Sequence, residues 1–311
     1  MITLFMRGSN ESVISSRWMI NKHIAYGSGK GANIINPSQY AFPYHPEEVK
    51  ILRSLIKQVR IIIMKQDIIP SELTDHQIAE FINVKLCPLK TAILMSKHFS
   101  FKQLYPEIFA KRGCNDDTDL GIARTMLTIA PLPITTKDGY QMIYVRFEKF
   151  EKLSTAILPC CRYIALAMEA LPISTGLIPG HIILFDFSHV KNEYFGILKI
   201  VEYQNMLNYI QEGSLLNIKQ ILMFSRKEFK LFQFLEYLEP LFENGFMNKV
   251  LFCQLGIKEL ALIIGKDKLP RDLGGNIGTV KEYEECFYRV IVRTRKWIYK
   301  NQEKCTLING Y

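Results

Sequence analysis

Seven consecutive residues, His181-Ile182-Ile183-Leu184-Phe185-Asp186-Phe187, constrain the fold of this chain more than any other stretch. The run has strand length and is apolar at positions of both parities, so neither face of such a strand can be left to water. Strands of this kind lie inside mostly parallel sheets covered by helices on both sides. The surrounding pattern agrees. Residues 142–147 read as a strand, 157–171 as a helix opening near Pro159, 201–210 as a helix, 218–224 as a strand, 228–246 as a helix, 250–255 as a strand and 258–264 as a helix. Alternating strand and helix predicts an α/β layer with a mostly parallel sheet.

Upstream the period is purely helical. Val49, Leu52, Ile56, Val59 and Ile63 recur at spacings of three and four, with Lys50, Arg53, Lys57 and Arg60 on the other faces. Thr74 and Gln77 form a capping box that opens a second helix through Ile78, Phe81 and Ile82. A third helix runs from about Leu89 past Ala92, Ile93 and Met95. This divides the chain into an N-terminal all-helical lobe over 47–120, closed by a polar, turn-like stretch at 113–119, an α/β domain over 121–285, and a basic C-terminal helix or tail over 286–311. Residues 1–46 hold no sustained period and read as loop or tail. Their Gly29-Lys30 pair is not a phosphate loop, which needs a glycine where Ile24 stands and Ser or Thr where Gly31 stands.

Charge is distributed unevenly. Of a net +9, residues 1–66 carry 9 Lys/Arg against 3 Asp/Glu, residues 281–311 carry 7 against 4, and the centre is balanced. Basic ends on a neutral body suit an anionic membrane surface, not a nucleic-acid groove across the fold. No stretch offers 18 uninterrupted apolar residues, the opening residues lack a signal-peptide core, and seven unpaired Cys read as reduced, incidental thiols. A cytoplasmic protein that touches membranes peripherally and transiently is the expectation.

Catalytic signatures are missing. The chain has no Gly-x-Ser-x-Gly, no His-Glu-x-x-His, no Cys-x-x-Cys and no Gly-rich dinucleotide loop, and its six His are scattered, with only His181 and His189 near enough in sequence to meet. Asp186 at a strand end reads as a cap for the following turn. No enzyme, cofactor or metal is expected. The segment 228–246 is odd in another way. Phe229, Leu231, Phe232, Phe234, Leu235, Leu238, Leu241 and Phe242 leave only a narrow polar stripe of Lys230, Glu236, Glu239 and Glu243. Such a helix is either buried on all sides or has one face on a ligand and another toward lipid, as a movable lid would.

Several segments, in order, resemble the CRAL-TRIO lipid-binding family of tocopherol and retinaldehyde carriers. They are Asp75-His76-Gln77-Ile78-Ala79-Glu80-Phe81-Ile82, Lys90-Thr91-Ala92, Tyr105-Pro106-Glu107-Ile108-Phe109, Asp138-Gly139-Tyr140, Gly180-His181-Ile182-Ile183-Leu184-Phe185-Asp186 and Leu269-Pro270-Arg271-Asp272-Leu273-Gly274-Gly275. The resemblance covers roughly residues 47–285. The chain departs from the family pattern at Asn83, where a basic residue is usual, and at Asp272 and Leu273, where Glu and Tyr are usual; residues 1–46 match nothing in it.

The resemblance implies a helical lobe packed on an α/β domain whose sheet floors an apolar pocket under a helical gate, here residues 228–246. It implies a carrier of one small hydrophobic ligand (retinoid, tocopherol-like, sterol or phospholipid), exchanged with an anionic membrane surface and using no nucleic acid. Matching segments place Tyr163, Ile164, Ala167, Met168, Ile183, Phe185, Phe187, Ile221, Met223, Phe229, Phe232 and Leu235 on the pocket wall, with Tyr163 and His181 as polar anchors. Of four basic positions that bind phosphoinositide in the tocopherol carrier's branch, this chain has Asn217, Lys219, Gly245 and Lys249, so two are kept; Arg289, Arg293 and Lys296 on one helical face offer a generic attraction to anionic lipid. The alternative is an interaction or regulatory protein of the same fold whose pocket is filled.

Overall fold

The computed structural model describes residues 46–109, 116–191, 193, 196, 201–225, 231–242 and 245–306. Residues 1–45 of the expected tail therefore lie outside the described residues. The helical lobe comprises α1 (Pro46–Ile63), α2 (Asp75–Lys85), α3 (Pro88–Leu104) and the single turn α4 (Pro106–Phe109). The expected capping box is present at α2: Thr74 accepts from the Gln77 backbone while the Gln77 side chain accepts from the Thr74 N–H. The apolar stripe of α1, with Ile56 and Val59, packs with Ile78, Phe81 and Ile82 of α2 and Leu94, Met95 and Phe99 of α3.

The stretch expected to be turn-like is helical from its fourth residue. Helix α5 spans Asp116–Met126, and the rest of that stretch, 113–115, lies outside the described residues. Asp117 and Asp119 lie in its first turn, where carboxylates complement the unpaired N–H groups and the helix dipole. Asp117 also meets Arg295 at 2.5 Å, and Asp119 pairs with Arg162. Polar composition suggests a turn there, yet it is also what a helix start requires.

Five strands come next, in the spatial order β1-β2-β3-β4-β5: β1 (Leu127–Pro131), β2 (Gln141–Phe147), β3 (His181–Asp186), β4 (Ile218–Phe224) and β5 (Val250–Cys253). The sheet is mixed and mostly parallel, with β1 alone antiparallel to its neighbour. Sequence reading does not find β1, because Pro131 and Pro133 mask it; at an edge strand the missing proline N–H costs no ladder bond.

Between β2 and β3 runs α6 (Ile157–Thr175), between β3 and β4 α7 (Val201–Glu212), and between β4 and β5 α8 (Leu231–Leu238). Parallel crossovers are right-handed, so a sheet that adds each new strand on the same side places all three connecting helices on one face. We call it the front. Tyr163, Ala167 and Leu171 of α6 and Phe234 and Leu238 of α8 accordingly share one core cluster with Ile143, Ile183 and Ile221 of the strands. Helix α6 is long and apolar enough to cross a membrane by length and composition, and 56% of that window is buried in the fold.

The back face is covered by the segments beyond the last strand: α9 (Ile257–Ile264), the Leu269–Gly275 turn and the start of α10 (Val280–Thr306). The turn explains its own residue choices. Leu269 and Leu273 are buried against Leu184 and Leu222. Gly274 has φ 75°, and a Cβ on Gly275 would lie 1.9 Å from the Leu269 carbonyl oxygen. Both oxygens of Asp272 accept from the Val280 N–H at 3.1 Å, capping α10, so Asp in place of Glu keeps the N-cap chemistry.

The long helix expected over 228–246 is short. Helix α8 ends at Leu238 and passes into a 3-10 turn, Glu239–Leu241, because Pro240 has no N–H to donate and disfavours the helical conformation of the residue before it. Residues 228–230, 243 and 244 of that segment lie outside the described residues. Since the Gly275 approach is between backbone atoms, Gly275→Ala is expected to cost about 3 kcal/mol or more in urea unfolding, whereas Arg271→Ala, at an exposed side chain, is expected to stay within about 0.5 kcal/mol.

Candidate functional site

The two faces of the sheet are closed to different degrees. On the back, Tyr144, Leu184 and Leu222 are 0% exposed. On the front, Ile183 is 8% and Ile221 6% exposed, and Phe185, next to last in the central strand, is only partly buried, as are Val145 beside it on β2 and Phe252 two strands away on β5, while Met223 between Phe185 and Phe252 is 5% exposed. A residue flanked by strands left and right can be reached only from above, so the layer over Phe185 is incomplete. Aromatic rings frame it: Phe185 stacks on Phe187 with centroids 4.7 Å apart, Phe147 lies 5.6 Å away, and Phe234 of α8 meets Phe187 edge to face at 4.7 Å.

Most of the pocket residues expected from the sequence come together on this face: Tyr163, Ala167, Ile183, Phe187, Ile221 and Met223, with Ile164 and Phe185 packed at the margin. Met168 does not. One residue of helix turns the side chain by about 100°, and Met168 faces Ile108, Phe109, Met206 and Tyr209 on the side of α6 that meets the helical lobe. Phe229 lies outside the described residues; α8 carries Phe232 and Leu235, whose side chains do too. Among the described side chains of α8, Phe234 and Leu238, four apart and both buried, cover the sheet with Tyr237 packed beside them, and Gln233 and Glu236 point outward. The apolar pattern does not distinguish Phe234 and Leu238 from their neighbours, because only the end of the helix at Pro240 fixes which face is inward.

The two polar anchors are separated. Helix α6 returns from the end of β2 to the start of β3, so Tyr163 and Thr175 are about 18 Å apart along its axis. The Tyr163 hydroxyl is buried and has no hydrogen-bond partner; its pKa is raised by burial first and by Glu284 next, against Arg124. Arg124 and Glu284 form a two-pronged ion pair at 2.6 and 2.7 Å. His181 opens β3 at the opposite end of the layer, 4% exposed and with Nδ1 unpartnered; burial pushes it down to about 4, with the Asn217 backbone opposing. His189 sits past the other end of β3, 3.2 Å from Glu148, so the two histidines do not meet. Asp186 accepts from the Tyr144 hydroxyl at 2.6 Å and from the Ser188 N–H at 2.8 Å, the capping role expected of it. Among the described residues no three His, Cys, Asp or Glu side chains are grouped to hold a metal ion.

Lys219 and Lys249 do come together, and Lys85 at the end of α2 joins them. The pKa of Lys249 is lowered by burial and then by Lys85 and Lys219; that of Lys85 is lowered by burial and then by Lys90, Lys97 and Lys219. The stem of Lys219 crosses Gly180, where a Cβ would lie 2.5 Å from its Cγ, and its Nζ stands 6.0 Å from the Tyr140 ring. No sequence signal marks Lys85, because the contact spans lobe and domain. Arg289, Arg293 and Lys296 are exposed on one face of α10, which packs on β1 at the other edge of the sheet, so the two basic groups remain apart.

No family model matches the sequence, and no curated protein is similar to it. Among solved structures, the chain is similar to the crystal structure of Sfh5, a Sec14-like CRAL-TRIO protein, at a TM-score of 0.46 and 10% identity, over 81% of this chain and 98% of that one.

The join between lobe and domain is sensitive to pH. Burial, and then Glu169, push Glu80 up to about 8, against Lys102, which itself pairs with Glu169 at 2.9 Å. The native state holds a proton there that the unfolded chain releases near 4.5, so this group's contribution is full below pH 4.5 and lost as pH rises through about 8. His98 and His181, both lowered by burial, act in the other direction: their contribution is present above about 6.5 and lost as pH falls. Glu80→Gln is expected to flatten the fall in melting temperature between pH 5 and 8.5, measured by circular dichroism, without altering the acid limb.

Proposed function

We propose that this chain is a non-enzymatic carrier that holds one hydrophobic lipid against the front of its sheet and exchanges it with anionic membranes. The partly exposed Phe185 on a central strand carries this reading, because a folded protein that closes its back face to 0% exposure at Tyr144 and Leu184 has the means to close its front as well. An apolar ligand laid on Phe185, Ile183, Ile221 and Met223 gains roughly 25 cal/mol for each Å² withdrawn from water, so the wall alone supplies affinity. Helix α8, only eight residues long and ended by the Pro240 turn, is the movable cover. Membrane contact then offers its apolar face an alternative partner.

The lysine group Lys85, Lys219 and Lys249 is the docking surface. Beside Lys90, the apolar Leu89 and Ile93 of α3 are 60% and 50% exposed, and apolar side chains next to ammonium groups match the boundary of an anionic bilayer. Each lysine near such a surface contributes about 1 kcal/mol. Replacing all three by Ala is expected to slow transfer of a fluorescent lipid from phosphatidylserine-containing vesicles roughly tenfold or more, a loss that 0.5 M salt also produces in the wild type.

A second reading, an interaction protein with a filled pocket, is favoured by the direct contact of Phe234 with Phe187 at 4.7 Å. Native mass spectrometry of the purified chain, followed by organic extraction, separates the two. One lipid per chain supports the carrier; an empty chain that takes up no retinoid, tocopherol, sterol or phospholipid supports the interaction protein.

A further inference from the structure

Two buried polar side chains at one end of the front face each leave one atom without a hydrogen bond within the protein. Gln141 and His181 open β2 and β3 and stand opposite each other in the ladder. By strand alternation both point to the same side as Ile143 and Ile183, the front. Each is 4% exposed, and Gln141 Oε1 and His181 Nδ1 are both buried without a hydrogen bond. An unpaired buried polar atom costs about 1 to 3 kcal/mol, and here two fall side by side on a face otherwise made of Ile, Val, Phe and Met. The back face at the same level carries Tyr140 and Met142 and no such pair.

We infer that Gln141 and His181 together receive the hydroxyl group of a lipid alcohol whose hydrocarbon body lies along Ile183 and Phe185. This deepens the carrier reading and rests on it. The choice of a hydroxyl comes from the atoms. The buried unpaired atom of Gln141 is an amide oxygen, which only accepts, so the ligand must donate. A neutral imidazole supplies one donor and one acceptor, and a hydroxyl that gives its single proton to Gln141 Oε1 accepts from the ring beside it, with the His181 proton on Nδ1. Esters, ethers and aldehydes have no proton to give to the amide oxygen. Carboxylates and phosphates need a cation, and burial keeps the His181 ring neutral. The lysines Lys219 and Lys249 serve a charged surface outside; this pair serves an uncharged group inside.

The test uses the full chain and two probes of the same carbon skeleton, phytol and its O-methyl ether, with dissociation constants from native mass spectrometry or displacement of a fluorescent lipid. The wild type is expected to bind the alcohol at least tenfold more tightly than the ether. Gln141→Met and His181→Phe, which keep volume and remove the polar atoms, are expected to bind the ether as well as the wild type does and to lose the preference. Equal binding of the two probes by the wild type overturns the inference whether or not the variants fold, as does a preference that survives in both folded variants. A wild type that binds neither probe but extracts with a phospholipid overturns the inference and leaves the carrier reading standing. A wild type that binds no lipid at all overturns both.

Discussion

A sheet whose strands are laid down in spatial order 1-2-3-4-5 has nowhere to put its connections except on one face, since right-handed crossovers between parallel neighbours all return over the same side. The rest of the molecule depends on that constraint. Three helices crowd the front, and the back, which is as apolar as the front, needs cover from elsewhere. The chain supplies it after the last strand, with α9, the Leu269–Gly275 turn and the first turns of α10 sealing Tyr144, Leu184 and Leu222. The turn holds that position because Gly275 admits the Leu269 carbonyl where a Cβ would stand, and because Asp272 caps the next helix.

The front is closed in a different way. Helix α6 is long and rigid, but α8 has only eight residues and is limited by Pro240. Among its described side chains it reaches the sheet through Phe234 and Leu238, and the rings of Phe185, Phe187 and Phe234 meet there in stacked and edge-to-face pairs. The helical lobe is joined to the domain by polar contacts: His98 on the Gly213 carbonyl at 2.7 Å, Lys97 on Glu212 at 2.6 Å and Asn83 on the Ile178 carbonyl at 2.8 Å. Asn83 therefore has a structural role at the junction of lobe and sheet.

Much of the fold is legible in the sequence because period is a local property. The run through Ile183 and Phe185, the repeat through Ile56 and Val59 and the Thr74–Gln77 box each specify their element without reference to the remainder. The elements that mislead are those whose signals conflict locally. Pro131 hides an edge strand that does not need its N–H, the acidic Asp116 to Asp119 stretch resembles a turn while beginning a helix, and Pro240 is outweighed by the apolar residues around it. Pocket residues are legible only as sets. Ala167 and Met168 are equally apolar neighbours, and nothing short of the packing of α6 shows that one meets the sheet and the other the helical lobe.

The sequence by itself determined the layer: which run is a strand buried on both faces and which helices flank it. Side-chain period and backbone sterics act within a few residues, so they can be read along the chain. Only the tertiary structure decided which face is left open above Phe185, that Gln141 and His181 stand opposite each other, and that Lys85 joins Lys219 and Lys249. Those pairings bring together residues 40 to more than 160 positions apart, and their geometry is set by strand register and helix docking, which no local pattern encodes.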